Sequence, residues 1–302
     1  MAENQLSRYG AISQVLPIMN PGAKFHFVGL TSTAWYQNFL DKFGPDRDGG
    51  NRVFPTITAA LADSNVVDSR GDVVLLLPGY TETIVGAAGL SITKAGLTII
   101  GIGNGTLRPT ITFTTSTAAS LDVGSANTRF ENIVFTCGID AQSAMVNVTA
   151  VDVSFFNCVF NTNSGTVGTI AGILTAATAT RLLVENCRFV GPAANSGTTT
   201  TAQIKHEVGA DYIIRNNYFA GKMTQAITNV ATVLRGLIDS NRFVVATGTV
   251  AITMAAASTP FITNNRINVP SGTTPITAAA GFVAGNAYSA TAGVTAGTAS
   301  TI

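Results

Sequence analysis

From Phe130 onward the chain repeats a six-residue pattern that opens and closes on an apolar residue. The copies are Phe130–Phe135, Phe155–Phe160, Val184–Phe189, Ile214–Phe219, Ile238–Phe243 and Ile262–Ile267, with a worn copy at Val283–Tyr288. Successive copies start 25, 29, 30, 24, 24 and 21 residues apart. That period is too long for one hairpin and fits one full turn of a parallel β-solenoid. The first and last positions then point inward and stack on their equivalents. Upstream, Val73–Leu77, Leu97–Ile102 and Ile111–Phe113 read as further strands.

The third position is Asn132, Asn157, Asn186 and Asn216, then Ser240, Asn264 and Gly285. Asparagine tolerates left-handed backbone geometry and bonds locally at turns. A row of them predicts one corner shared by every coil, with side chains able to bond along the axis. A β-sandwich is also rich in short strands, but it does not predict asparagine at one fixed place. The expectation is therefore an all-β, single-stranded right-handed parallel β-helix.

The run Gly71–Glu82, with Gly96–Gly101 and Arg108–Ile111 after it, resembles the first coils of right-handed parallel β-helix proteins of the pectate-lyase-like superfamily. With the asparagine row, the resemblance covers about Arg52 to Tyr288. Val53–Leu61 looks like the short amphipathic helix that caps the N-terminal end in such proteins. Within the superfamily, the irregular start, Pro45–Gly49, the cap helix and the Pro78-Gly79-Tyr80-Thr81-Glu82 coil look most like bacteriophage β-helix proteins associated with the head. Three segments follow: an N-terminal arm or cap at 1–50, the β-helix at 51–288, and an extended low-complexity tail at 289–302.

Composition narrows the function. Charged residues are 11% and the net charge is +1, so there is no basic excess to neutralise nucleic-acid or membrane phosphates. Hydrophobic residues at 46% exclude disorder as the main state. The start lacks a basic stretch followed by an apolar core, so no signal peptide is expected. No unbroken apolar run of about 20 residues occurs to span a membrane. Arg266 is the only charged residue after Phe243, and so bare a surface is better hidden against a partner. Cys137, Cys158 and Cys187 are too few for a disulfide scaffold. Cys158 and Cys187 fall at equivalent places in adjacent coils and read as stacked buried thiols, not bridged and not metal-binding.

Glycan-cleaving β-helices need a carboxylate pair or an acidic Ca²⁺ cluster. Here the acids are scattered, mostly one to a coil. Lys205, His206, Glu207 and Asp211 are the closest grouping, and a solvated loop is the plainer reading. Arg70-Gly71-Asp72 spells an adhesion tripeptide by coincidence, Gly101–Gly105 are turn glycines, and His26 stands alone. The second position of the repeat holds Glu185, Arg215 and Asp239, an acid–base–acid ladder at strand spacing. The fifth holds Arg188, Tyr218, Arg242 and Arg266, either an interface or a solvated edge. Arg and Tyr are enriched at binding surfaces; with Trp35 and Tyr36 of the arm they are the candidate partner-binding residues.

The resemblance and the missing catalytic signature imply a structural virion protein, a capsid decoration on the head surface, made in the host cytoplasm. It implies no enzyme activity, no cofactor and no metal. The partners would be the major capsid protein or other virion subunits, with self-association, first as a trimer. The alternative is a polysaccharide-binding or -cleaving β-helix, a small tailspike or lyase.

Overall fold

The computed structural model describes residues 22–44, 50–162, 167–193, 199–207, 209–247, 250–270 and 273–289. Over these residues the chain is an all-β parallel solenoid of about ten turns. Each regular turn lays one strand on each of three faces. The first sheet runs from β1 (Phe25–Val28), β2 (Val53–Phe54) and β3 (Val73–Leu76) through successive coils to Phe282–Ala284. The second starts at Thr81–Ile84 and ends at Ala287–Ser289, and the third runs from Leu90–Ile92 to Ile276–Thr277. Among the described residues the pairings are parallel, and most hold register from coil to coil, as between Phe130, Phe155, Val184, Ile214 and Ile238; the register shifts between Leu234 and Leu237. Tyr218–Asn229 serves the second and third sheets together, with a register shift at Gly221, where φ is +104°.

In-register stacking puts the same side chain over itself at every turn. The closing position gives an unbroken column of rings: Phe135, Phe160, Phe189, Phe219 and Phe243, with centroids 4.7 to 5.0 Å apart. Each is buried, and burial of such a side chain stabilises by about 1.5–3 kcal/mol. Offset stacking adds about 0.5–1.5 kcal/mol per pair.

Two short helices flank the first rungs, one plugging the N-terminal end and one on the outer face. Helix α2 (Ile57–Ala62) is capped by Thr56, whose hydroxyl accepts from the Ala59 N–H at 3.0 Å. Its Ile57, Ala60 and Leu61 join the interior core, so it plugs the barrel where a cap helix is expected. Helix α1 (Ala34–Phe43), capped by Thr33, lies in the stretch that carries no repeat. It packs Tyr36, Phe39, Leu40 and Phe43 on Phe27, Val73, Leu75, Leu77, Ile100 and Ile102, the outward side of the first rungs. The arm thus enters the solenoid: β1 sits between β2 and β3. Pro45–Gly49 and most of the tail lie outside the described residues.

Candidate partner-binding face

The repeat dictates what each position faces. Asn132, Asn157, Asn186, Asn216, Ser240, Asn264 and Gly285 all adopt left-handed φ, between +49° and +65°. They turn the chain from the first sheet to the second. The backbone N–H of each of the first six donates to the carbonyl of the second position of the next coil's repeat, as Asn157 does to Glu185. Direct bonding within the row is sparse: Asn157 Nδ2 donates to Asn132 Oδ1 at 3.2 Å, while Asn132 itself donates to the carbonyls of Gly101 and Gly103 and Asn264 to Asp239.

The continuous side-chain ladder sits one residue later and was not foreseen from sequence. Asn217, Asn241, Asn265 and Asn286 turn inward. Each Oδ1 of the last three accepts both the backbone N–H and the Nδ2 of the preceding member, at 2.9 to 3.0 Å. Each Nδ2 also donates to an inner-strand carbonyl: Val184, Ile214, Ile238 and Ile262. Cys187 continues the ladder with sulfur. Its N–H donates to Asn217 Oδ1 at 2.8 Å, and its Sγ accepts from the Cys158 N–H and faces the Phe155 carbonyl. Burial pushes the Cys187 thiol well up, so it stays protonated.

The next position points out of the second sheet. Register pairs Arg188 with Tyr218, Tyr218 with Arg242, and Arg242 with Arg266, one strand after another. All three arginines are exposed. The guanidinium carbons of Arg188 and Arg242 lie 5.8 and 5.6 Å from the Tyr218 ring centre, one on each side. None of the three has a carboxylate partner among the described residues. A shallow groove of about 390 Å³ opens beside Arg242, Arg266, Asn268, Ala287 and Tyr288.

Other arginines are neutralised. Arg129 pairs with Glu131 and Arg215 with Glu185, both at 2.9 Å. Arg181 pairs with Asp152 at 2.5 Å and Arg235 with Asp211 at 2.6 Å. Those last four, with Asn127, form a second left-handed corner, between the third sheet and the first. Each stands five residues ahead of a member of the asparagine row, a spacing that could have revealed it. Asp239 accepts from Thr263, Ser240 and Asn264.

The remaining candidates separate. Tyr36 is buried, 8% exposed, in the packing of α1, so it is not an open partner-binding residue; Trp35 beside it is 37% exposed. Both are at the opposite end from the arginine row. The Lys205–Asp211 group is split. His206 faces the core, its Nδ1 3.0 Å from Thr175 Oγ1 and its ring stacked on Tyr212, and burial lowers its pKa to about 4. Glu207 lies 3.6 Å from Lys205, and Asp211 holds Arg235. Asp72 of the adhesion-like tripeptide is buried. Burial alone raises a carboxyl, but His26, Arg70 and the N–H groups of Lys24 and Val67 outweigh it and hold Asp72 well below the usual range. His26 is buried too, 3.5 Å from Asp72.

Guanidinium groups present planar, bidentate donors suited to carboxylate, phosphate or sulfate. Like charges on adjacent strands are unfavourable when opposite one another. A row of three around a tyrosine is therefore relieved by an external anion. Comparison with family models, with curated proteins and with solved structures finds no match for this chain.

Proposed function

We propose that this chain is a structural attachment protein, a decoration of a phage head. In this reading its second sheet docks on an acidic surface of the capsid subunit through Arg188, Tyr218, Arg242 and Arg266. The observation that carries the proposal is the row of three exposed arginines, in register, without a carboxylate among the described residues. The face is open, as a docking surface is, and the acids of the neighbouring face are engaged by arginines or hydroxyls. The sequence resemblance of the N-terminal layout, from the irregular start through Pro45–Gly49 and the cap helix to the Pro78–Glu82 coil, to head-associated β-helix proteins supports the same reading.

The test is particle occupancy. Arg188→Glu, Arg242→Glu and Arg266→Glu are combined, and the protein is added to particles that lack it. Wild-type protein is expected to fill its sites, and the reversed protein to leave them empty while keeping its circular dichroism. Full occupancy by the reversed protein would refute the docking face. One observation favours a second reading: Tyr218 flanked by guanidiniums beside a groove also suits an acidic polysaccharide. Binding of polygalacturonate or heparin by the wild type, lost in the reversed protein, with no particle attachment by either, selects it.

A further inference from the structure

The outer side of the first sheet changes character along the axis. In the first rungs helix α1 covers Val73, which belongs to this outward row, and Phe27, Leu75 and Ile100, which stand two residues further along their strands. The middle rungs put Arg129 and Ser154 outward. Beyond them the outward row turns apolar again: Leu183, Ile213, Leu237, Phe261 and Phe282 stand opposite one another on successive strands. Phe261 is 52% exposed, and its ring lies 5.8 Å from that of Phe282. The inward residues of these strands, Val184, Ile214, Ile238 and Ile262, are in the core, so the row is external. No element among the described residues covers it. Leu183, Ile213, Leu237 and Phe282 are half-buried and Phe261 is exposed; an outward apolar row of this length, rimmed by polar residues, marks an interaction surface.

The occupant is indicated by the row beside it. Two residues along each strand stand Glu185, Arg215, Asp239 and Thr263. The charge order is minus, plus, minus, neutral. Consider a two-fold axis parallel to the strands, passing between the rungs of Arg215 and Asp239. It turns the solenoid axis of a second copy end for end and lays the two sheets face to face. Arg215 of each copy, which keeps Glu185 of its own chain, then also meets Asp239 of the other, which keeps its hydroxyl and amide donors. Ile213 meets Leu237, Leu183 meets Phe261, and Glu185 meets Thr263. No like charges meet. A two-fold interface uses the same patch twice and must be self-complementary, and this patch is. A three-fold ring needs two different complementary patches, and this face offers one.

We propose that this face, Leu183 to Phe282 with the Glu185–Asp239 rim, is the interface of a two-fold homodimer in which two first sheets pack about 10 Å apart. The inference is independent of the arginine row, which lies on another sheet.

Sedimentation and light scattering of the full chain over a concentration series test it. A monomer–dimer equilibrium is expected for the wild type. Leu237→Asp with Phe261→Asp should give monomer alone, with unchanged circular dichroism. Arg215→Asp should weaken association at least tenfold by setting acid against acid. Adding Asp239→Arg to Arg215→Asp should restore it, because the crossed pairs re-form with reversed polarity. A wild type that stays monomeric at its highest soluble concentration overturns the proposal. So does a trimer, or a dimer that persists in the Leu237→Asp/Phe261→Asp protein. If the wild type is monomeric and that double variant alone fails to bind particles, the face belongs to a virion subunit instead, and the proposal is wrong.

Discussion

Asn241 and Arg242 are neighbours in sequence and opposite in circumstance. Asn241 faces inward, is buried, and has its carbonyl and amide both engaged. Arg242 faces outward, is exposed, and has a ring face for a neighbour but no carboxylate among the described residues. The contrast repeats at Asn217 and Tyr218 and at Asn265 and Arg266. A parallel in-register stack multiplies whatever one position carries. Inward, a polar group that repeats from coil to coil must therefore be bonded, since any deficit recurs at every turn. Outward, a charge can be repeated without a countercharge, and the accumulated potential becomes available to a ligand.

The inward row should be the costly one to break. Asn241→Leu removes the acceptor of the Asn217 N–H and of its Nδ2, and the donor to the Ile214 carbonyl. Orphaned buried groups cost about 1–3 kcal/mol each, so a loss of roughly 3–5 kcal/mol is expected, read as a lower urea midpoint. Arg242→Leu, one residue away, should change stability by no more than about 0.5 kcal/mol. Equal losses at the two positions would abolish the distinction.

A second inward polar group adds a pH dependence. Burial holds the His206 pKa at about 4, against about 6.5 in the unfolded chain. The unfolded state therefore takes up a proton first as pH falls. His206 costs no stability above pH 6.5; stability declines between pH 6.5 and about 4 at close to 1.4 kcal/mol per unit, then levels. Melting at pH 7 and pH 5 should show this, and His206→Gln should flatten that part of the profile. An unchanged slope in the variant would place the acid sensitivity elsewhere.

The outward rows were the more legible part of the sequence. Once the repeat was aligned, register fixed which side chains would be neighbours, so Arg188, Tyr218, Arg242 and Arg266 could be placed together. Asparagine at the third position was equally readable, because few residues accept positive φ. The interior ladder was written one letter later, but Ile133, Cys158 and Cys187 occupy that position in the first three copies and broke the pattern. Helix α1 was hidden for another reason. It belongs to no repeat, and what holds it is an apolar outer face that only the folded sheet creates. The same holds for Leu183, Ile213, Leu237 and Phe261: each reads as an ordinary strand residue until the face it points to is known.

Cys187 sharpens the comparison from the inside. Its sulfur already stands where an asparagine side chain would, between the Cys158 N–H and the Phe155 carbonyl. Cys187→Asn should therefore extend the ladder by one rung and change stability by no more than about 1 kcal/mol, whereas a polar residue placed at an unmatched core site leaves unpaired groups and costs more. Cys158→Asn has Ile133 before it, with no side-chain group to share its oxygen, and should be the worse of the two. Both thiols should be free by mass measurement under non-reducing conditions; a Cys158–Cys187 bridge would mean that the sulfur ladder misdescribes this corner.

The smallest effect on stability is expected where the effect on binding is largest. Replacing Arg188, Arg242 and Arg266 together by Ala removes three charges that share no ion pair with a described carboxylate, so no buried group is orphaned. What is lost is packing of the arginine stems and the contacts of Arg188 and Arg242 with Tyr218, worth about 0.5–1 kcal/mol each at exposed sites. What is gained is relief from the like charges of Arg242 and Arg266, on adjacent strands about 4.8 Å apart, with Arg188 two strands from Arg242. The two oppose each other, and the net change should lie within about 1 kcal/mol. Salt separates them. Ions screen the repulsion between exposed charges within about 8–10 Å at physiological strength, so wild-type protein should gain stability from low to moderate salt, and the triple variant should gain less. If the wild type shows no such gain, the three arginines do not repel one another, the row carries no accumulated potential, and the difference between the inward and outward positions reduces to burial alone.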